Sequence, residues 1–187
     1  MKRLAPCEAV VYLDTDTPLG GLRLAASDTA LRGAWFLDQS DLPPPSPAWR
    51  FAPTHPVLSQ ARDELAQWFA GQRREFDVAL DPQGTAFQQA VWQALLGLPF
   101  GTTCSYGDLA VSIGKPKSVR AAAQAIGRNP ISIFIPCHRV VGRDTSLTGF
   151  GGGLARKQAL LAHEGHRYPG RDARARRVAD GQAELPW

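Results

Sequence analysis

Cys137 and His138 are adjacent, and this pair is the part of the sequence best suited to covalent chemistry. Thiolate is the nucleophilic form of cysteine, and a neighbouring imidazole can take the proton from the thiol. The β-branched and aromatic run Ile131–Ile135 comes shortly before the pair and predicts a buried strand or extended segment, which Pro136 ends. We expect this segment to hold the Cys137 sulfur at a fixed place.

A cysteine beside a histidine is not diagnostic by itself. Free cysteine is among the most buried residue types, so inert core packing is the first interpretation. Glu164 favours a chemical role, because the dipole of the helix that it ends disfavours a carboxylate there, and a specific partner is therefore expected. A zinc site built from Cys104, Cys137 and His138 lacks paired Cys-x-x-Cys spacing, so no metal is expected.

Charge is distributed unevenly along the 187 residues, whose formal net charge is +4. Residues 1–84 contain 8 Lys and Arg against 11 Asp and Glu, whereas residues 85–187 contain 13 against 6. A basic second half favours a polyanionic partner, with nucleic acid preferred over a merely solvated basic surface.

The cysteine content and the hydropathy of the chain indicate in which cellular compartment the protein is expected. Three widely spaced cysteines do not form a disulfide framework, which predicts a reduced, cytoplasmic environment. No apolar run approaches the ~20 residues of a membrane span. The N-terminus lacks the apolar core of a signal peptide, and no membrane association is expected.

Residues 1–84 are predicted to form a small domain built on an antiparallel sheet. Residues 38–53 contain five prolines and are expected to be an irregular loop. Thr54 is the expected N-cap of an amphipathic helix that Gly71 closes, and Phe76–Leu80 is typical of a further strand. Three earlier β-like runs favour a meander: Ala9–Leu13, Leu22–Ala26 and Leu31–Leu37.

Residues 85–168 are predicted to form a second, mostly helical and winged-helix-like domain, so the whole chain is of mixed α/β (α+β) class. Two short helices joined by the turn Gly114–Pro116 are typical of a helix-turn-helix. Residues 169–187 are expected to be a disordered tail. Three helix starts carry capping signals: Thr85 with Gln88, Ser105 with Asp108, and Ser118.

The second helix of this motif is unusual for a reader of base sequence. It has few long polar side chains for the major groove, and four of the six residues over Arg120–Ala125 are alanine. Alanine lets a backbone approach phosphates closely or enter the minor groove, which suits binding without sequence preference. An alanine-rich helix that is simply buried is the alternative.

The string Pro136-Cys137-His138-Arg139-Val140 lies in a longer pattern that resembles the O6-alkylguanine-DNA alkyltransferases. The resemblance is strong over residues 85–166 and extends to the remainder only in general layout. It implies direct DNA repair, in which the cysteine irreversibly accepts an alkyl group from O6-alkylguanine, and from O4-alkylthymine in some cases. Each molecule would act once, without a cofactor. The flanking parts of the pattern are Asn129-Pro130, Leu160-Leu161 and Glu164-Gly165.

The same resemblance implies roles for residues of the reaction site. His138 would take the thiol proton, and Glu164 would orient the imidazole and stabilise its positive form, which predicts a lowered pKa for Cys137. Tyr106 would hydrogen-bond the guanine ring, and Asn129 would brace the turn before the cysteine. The implied substrate pocket consists of Tyr106, Val140, Phe150, Gly151 and Gly152.

The implied partner is double-stranded DNA that contains an alkylated guanine, bound through the minor groove with the damaged nucleotide flipped out. Arg120 would enter the base stack in its place. The protein is expected to be a monomer and cytoplasmic, associated with the nucleoid if bacterial. The other implied DNA contacts are Ser118, Ala121, Ala122 and Arg128.

Two other functions fit parts of the sequence. A cysteine hydrolase could use a Cys-His-Glu set, but such enzymes usually separate nucleophile and base widely along the chain, and they need no helix-turn-helix. A DNA-binding regulator could sense alkylation or redox state through Cys137. Mass measurement after incubation with methylated DNA separates these functions from repair.

Overall fold

A computed structural model describes residues 10–40, 42–44 and 46–168 of the chain. Cys7 and the predicted tail over residues 169–187 lie outside the described residues. The chain divides into two compact units, residues 1–83 and residues 84–187. None of the helices within the described ranges has the length and apolar character needed to cross a bilayer.

The first unit contains the predicted antiparallel meander, which is confirmed. Strands β1 (Val11–Thr15), β2 (Leu22–Ala26) and β3 (Leu31–Phe36) pair in sequence order. Side chains on one face of the strands are buried, as period-2 alternation requires. Helix α1 (Pro56–Phe69) packs its apolar stripe, including Leu58, Ala61, Leu65 and Trp68, against this face.

Three predictions about the first unit are wrong. The end of the proline-rich segment is not irregular, because Arg50–Phe51 forms strand β4, parallel to β1 at the edge of the sheet. Conversely, Phe76–Leu80 is not a strand, and only Leu80 makes a bridge to Leu31. The N-cap of α1 is His55 rather than Thr54, since a proline occupies the first helical position and fixes where the helix begins.

Glu64 explains why the segment after α1 does not pair as a strand. Its carboxylate is buried, and Oε2 accepts hydrogen bonds from the backbone nitrogens of Asp77 at 2.9 Å and Val78 at 3.2 Å. Gln60 Nε2 donates to Oε1 at 2.9 Å, and Arg73 Nη1 lies 3.4 Å from Oε2. The side chain therefore satisfies backbone donors that a neighbouring strand would otherwise satisfy.

We predict that Glu64→Ala destabilises the first unit by about 3 kcal/mol, because two backbone donors lose their acceptor inside the protein. Glu75→Ala removes an exposed carboxylate from the same segment and serves as the control. Denaturant unfolding followed by tryptophan fluorescence measures both variants. Equal stability of the two variants would contradict a bracing role for Glu64.

Over residues 84–168, the second unit has four α-helices and a two-stranded parallel ladder. Both predicted capping boxes are confirmed, and Ser118 stands at the third N-cap without a side-chain hydrogen bond. Helices α3 and α4 pack against each other and against α2, which gives the predicted helix-turn-helix. The elements are α2 (Ala86–Leu96), β5 (Cys104–Ser105), α3 (Tyr106–Ser112), α4 (Val119–Gly127), β6 (Val140–Val141) and α5 (Leu154–His163).

The run Ile131–Ile135 is buried as predicted, but it is a tight turn and not a strand. The backbone nitrogen of Ile135 donates to the oxygen of Ile131 at 3.0 Å, and Ile133 has a φ of 73°. A β-branched residue in the left-handed region costs about 1–3 kcal/mol and persists only where its surroundings enforce it. The Asn129 side chain does so, since Oδ1 accepts from Ile131 N at 3.0 Å and Nδ2 donates to Ile135 O at 2.9 Å.

Candidate active site

Cys137 begins a short 3-10 turn, Cys137–Arg139, between the strained turn and β6. Its side chain is almost completely buried, with 6% of the residue exposed, and Asn129 Nδ2 donates to Sγ at 3.1 Å. Burial raises the pKa of Cys137, and the Asn129 hydrogen bond and the nearby Lys157 offset this only in part. The lowered pKa that the sequence predicts is wrong for the resting protein, whose sulfur is a thiol at neutral pH.

His138 and Glu164 form the contact that the sequence predicts, with 2.9 Å between Nε2 and Oε1. Burial lowers the pKa of His138, so the imidazole is neutral at pH 7. Burial alone would raise the pKa of Glu164, but hydrogen bonds from His138 and Arg139 lower it to about 2. An ionised carboxylate only accepts hydrogen bonds, which assigns the proton to Nε2 and leaves Nδ1 as the basic nitrogen.

Arg139 is a residue to which the sequence analysis assigns no role. Its Nε lies 2.9 Å and 3.0 Å from the two oxygens of Glu164, and its Nη2 donates to Oε1 at 2.8 Å. Its Nη1 donates to the oxygen of Leu98 at 2.5 Å, and the Phe100 ring lies 6.0 Å from the guanidinium. The available signal was an arginine inside an otherwise apolar run, where a charge needs a buried partner.

Lys157 is a second residue that the sequence analysis misses. It is fully buried in α5, and Nζ donates to the carbonyl oxygens of Val140 at 2.5 Å and Thr148 at 2.7 Å. Burial lowers its pKa to about 8, so most molecules carry the charge at neutral pH, close enough to act on the Cys137 sulfur. Its spacing from Leu160 and Leu161 places it on the apolar face of α5 and could have revealed it.

A groove of about 640 Å³ opens beside this set of residues. Tyr106 lines it and receives a hydrogen bond from Thr148 Oγ1 at 3.0 Å. Burial raises the pKa of Tyr106, and the phenol lies within electrostatic range of the Cys137 sulfur. The groove therefore has a neutral phenol near the thiol. Its lining residues are Tyr106, Val119, Arg120, Ala123, Ile126, Gly127, Thr148, Gly149, Phe150 and Gly151.

Three of the predicted pocket residues, Tyr106, Phe150 and Gly151, line this groove together with Arg120. Val140 and Gly152 are buried and do not line it.

Among the predicted DNA contacts, Arg120, Ala121 and Arg128 are exposed and Ser118 is half-buried. Ala122 is fully buried, so the structure places its side chain in the core of the second unit rather than on a surface open to DNA. The helical period explains the difference, because α4 turns one face inward against α2 and α3.

The fold and the site define a protein with a buried cysteine and a hydrogen-bonded His-Glu pair, in a unit whose helix-turn-helix lines an open groove. Residues 86–166 match the DNA binding domain of 6-O-methylguanine DNA methyltransferase. Residues 10–82 match the ribonuclease-like domain of the same family. The chain belongs to the 6-O-methylguanine DNA methyltransferase family.

Individual relatives resemble the chain over most of its length. A methylated-DNA–protein-cysteine methyltransferase from Mycobacterium bovis is 47% identical over 158 residues, which cover 84% of this chain and 94% of that protein. One from Haemophilus influenzae is 41% identical over 157 residues, covering 83% and 87%. The crystal structure of Mycobacterium tuberculosis OGT in complex with DNA has a TM-score of 0.77 at 46% identity, covering 82% of this chain and 92% of that chain.

We predict that Lys157→Met slows alkylation of Cys137 by iodoacetamide roughly tenfold at neutral pH, because loss of a nearby cation raises the pKa of the thiol by about one unit. The measurement is the alkylation rate against pH in a protein whose Cys7 and Cys104 are replaced by serine. Lys115→Met removes an exposed lysine and is the control. An unchanged pH profile in Lys157→Met would show that Lys157 acts only as a brace.

Proposed function

We propose that this protein repairs DNA by transferring the alkyl group of O6-alkylguanine to the sulfur of Cys137, once per molecule. The observation that carries the proposal is the buried Cys137 thiol followed directly by His138, whose imidazole is held by the Glu164 carboxylate, in the same unit as an open groove. The 47% identity to a methylated-DNA–protein-cysteine methyltransferase supports it. O4-alkylthymine carries the alkyl group on a similar ring oxygen and is a further candidate substrate.

The chemistry is a displacement at the alkyl carbon. His138 Nδ1 takes the proton of the Cys137 thiol, directly or through a water, as the sulfur attacks. The bond between the carbon and O6 breaks, its electron pair goes to the guanine, and a thioether forms. Glu164 stabilises the imidazolium, and the neutral phenol of Tyr106 donates a proton or hydrogen bond to the departing ring. The thioether is not converted back to a free thiol, so each protein molecule transfers one alkyl group.

The groove explains how a base could reach the thiol. The O6 atom of guanine lies inside the duplex, and chemistry on it requires that the nucleotide be taken out of the stack. Exposed Ala121 on α4 suits close approach to the minor groove, and Arg120 stands at the rim of the groove, where it could fill the space that the nucleotide leaves. Asn129 would keep the turn and the sulfur in register during the transfer.

The domain that carries these functions, the oligomeric state and the cellular location are also proposals. We propose that residues 85–168 carry the DNA-binding and alkyl-acceptor functions and that the chain acts as a monomer without a cofactor. A cytoplasmic location, on the nucleoid in a bacterium, suits a thiol that must stay reduced. The free state of Cys104 and Cys137 supports this location.

We predict that Cys137 is the sole acceptor. After incubation with an oligonucleotide containing O6-methylguanine, the intact protein should gain the mass of one methylene group, and peptide mapping should place it on Cys137. Cys104→Ser should gain the same mass, whereas Cys137→Ser should gain none. An adduct elsewhere would refute the assignment, and DNA binding without any adduct would favour a regulator.

We predict that Arg120→Ala slows repair of a duplex roughly tenfold or more but barely affects transfer from the free base O6-methylguanine, since only the duplex needs its extruded nucleotide replaced. Single-turnover rates on the two substrates measure the effect. Lys117→Ala removes an exposed cation from the turn before α4 and controls for loss of charge. Equal losses on both substrates would place the action of Arg120 outside the base stack.

A further inference from the structure

Arg139 and His138 both donate hydrogen bonds to the same oxygen atom of Glu164. Oε1 of Glu164 lies 2.9 Å from His138 Nε2, 2.8 Å from Arg139 Nη2 and 3.0 Å from Arg139 Nε. Arg139 Nε also lies 2.9 Å from Oε2, which accepts in addition from the backbone nitrogen of Gly101 at 3.2 Å. All three side chains are buried, so no solvent screens these contacts.

We propose that Arg139 is a positioning residue that shares the Glu164 carboxylate with His138 and thereby keeps the imidazole available as a proton acceptor. This inference rests on the proposed function, in which His138 takes the proton of the thiol. Arg139 is not among the residues that line the groove, and its side-chain hydrogen bonds go to Glu164 and to the carbonyl oxygen of Leu98. It acts on His138 through the shared carboxylate and through its own positive charge.

The charges around His138 support this role. Glu164 favours a positive imidazole, whereas Arg139 and Lys157 disfavour it, and the neighbouring Cys137 is a neutral thiol at rest. If Arg139 were absent, Glu164 would keep a buried negative charge whose nearest titratable partner is His138. A proton on His138 would then neutralise the carboxylate, and the resting site would contain an imidazolium that cannot accept the thiol proton.

Geometry shows why a guanidinium suits the position. Its planar fork reaches both carboxylate oxygens, and Nη1 is held at 2.5 Å by the carbonyl oxygen of Leu98. Oε1 accepts a hydrogen bond from His138 Nε2 as well. The imidazole is therefore held in one tautomer while the carboxylate charge is already paired.

Titration of His138 tests the proposal directly. Nitrogen-15 NMR of the full chain gives the pH midpoint of His138, and single-turnover methyl transfer from DNA gives the acid limb of the rate profile. In Arg139→Gln both should move up by about one unit or more. In Arg139→Lys, which keeps the charge, the His138 midpoint should stay near that of the unchanged protein.

Two comparisons make the outcome decisive. If Arg139→Gln lowers the rate by the same factor at every pH and leaves the His138 midpoint unmoved, Arg139 is only a structural brace and the proposal is wrong. If Arg139→Gln does not fold, Arg139→Met takes its place, because it also removes the charge and keeps an apolar stem for packing. The same two measurements then decide, with the same outcomes.

The proposed function can fail separately from this inference. If the unchanged protein transfers no methyl group at any pH, repair is refuted. The His138 titrations of the variants still show whether Arg139 sets the protonation of the imidazole.

Discussion

The buried carboxylate of Glu164 is the constraint on which the arrangement of the second unit depends. A carboxylate without water must be paired and hydrogen-bonded, or it loses its charge. Its partners are the Gly101 nitrogen after α2 and the His138 and Arg139 side chains of the 3-10 turn, while Glu164 itself caps α5. One side chain therefore links three segments that are far apart in sequence, and the position of the His138 imidazole depends on that link.

Electrostatics in the site follow from the same burial. The sulfur is a thiol at rest because desolvation outweighs the Asn129 and Lys157 contacts that favour thiolate. His138 is neutral for the same reason, so the proton stays on sulfur in the resting site. The groups that would stabilise a thiolate and an imidazolium are in place, although neither ion is populated at rest.

The sequence predicts best what depends on neighbours a few residues apart. The capping boxes at Thr85 and Ser105 and the apolar stripe of α1 are local patterns, and the structure contains them. Two of the wrong predictions depend on distant partners: strand β4 needs β1, and the segment Phe76–Leu80 is bound by Glu64. Arg139 and Lys157 were missed because a charged residue is usually solvated, and only the folded chain shows the acceptors that make its burial possible.

Asn129 shows how the strained turn and the chemistry are coupled through one amide. Its oxygen accepts from Ile131 N, while Nδ2 supplies donors to both Ile135 O and the Cys137 sulfur. Aspartate could close the first contact, but it has no hydrogen to donate to the other two, and its charge would disfavour the thiolate. Glutamine has the right groups on a longer stem with one more rotatable bond to immobilise. The side chain that enforces the left-handed Ile133 is thus the one that contacts the sulfur, so the position of the Cys137 sulfur and its proton affinity are set together.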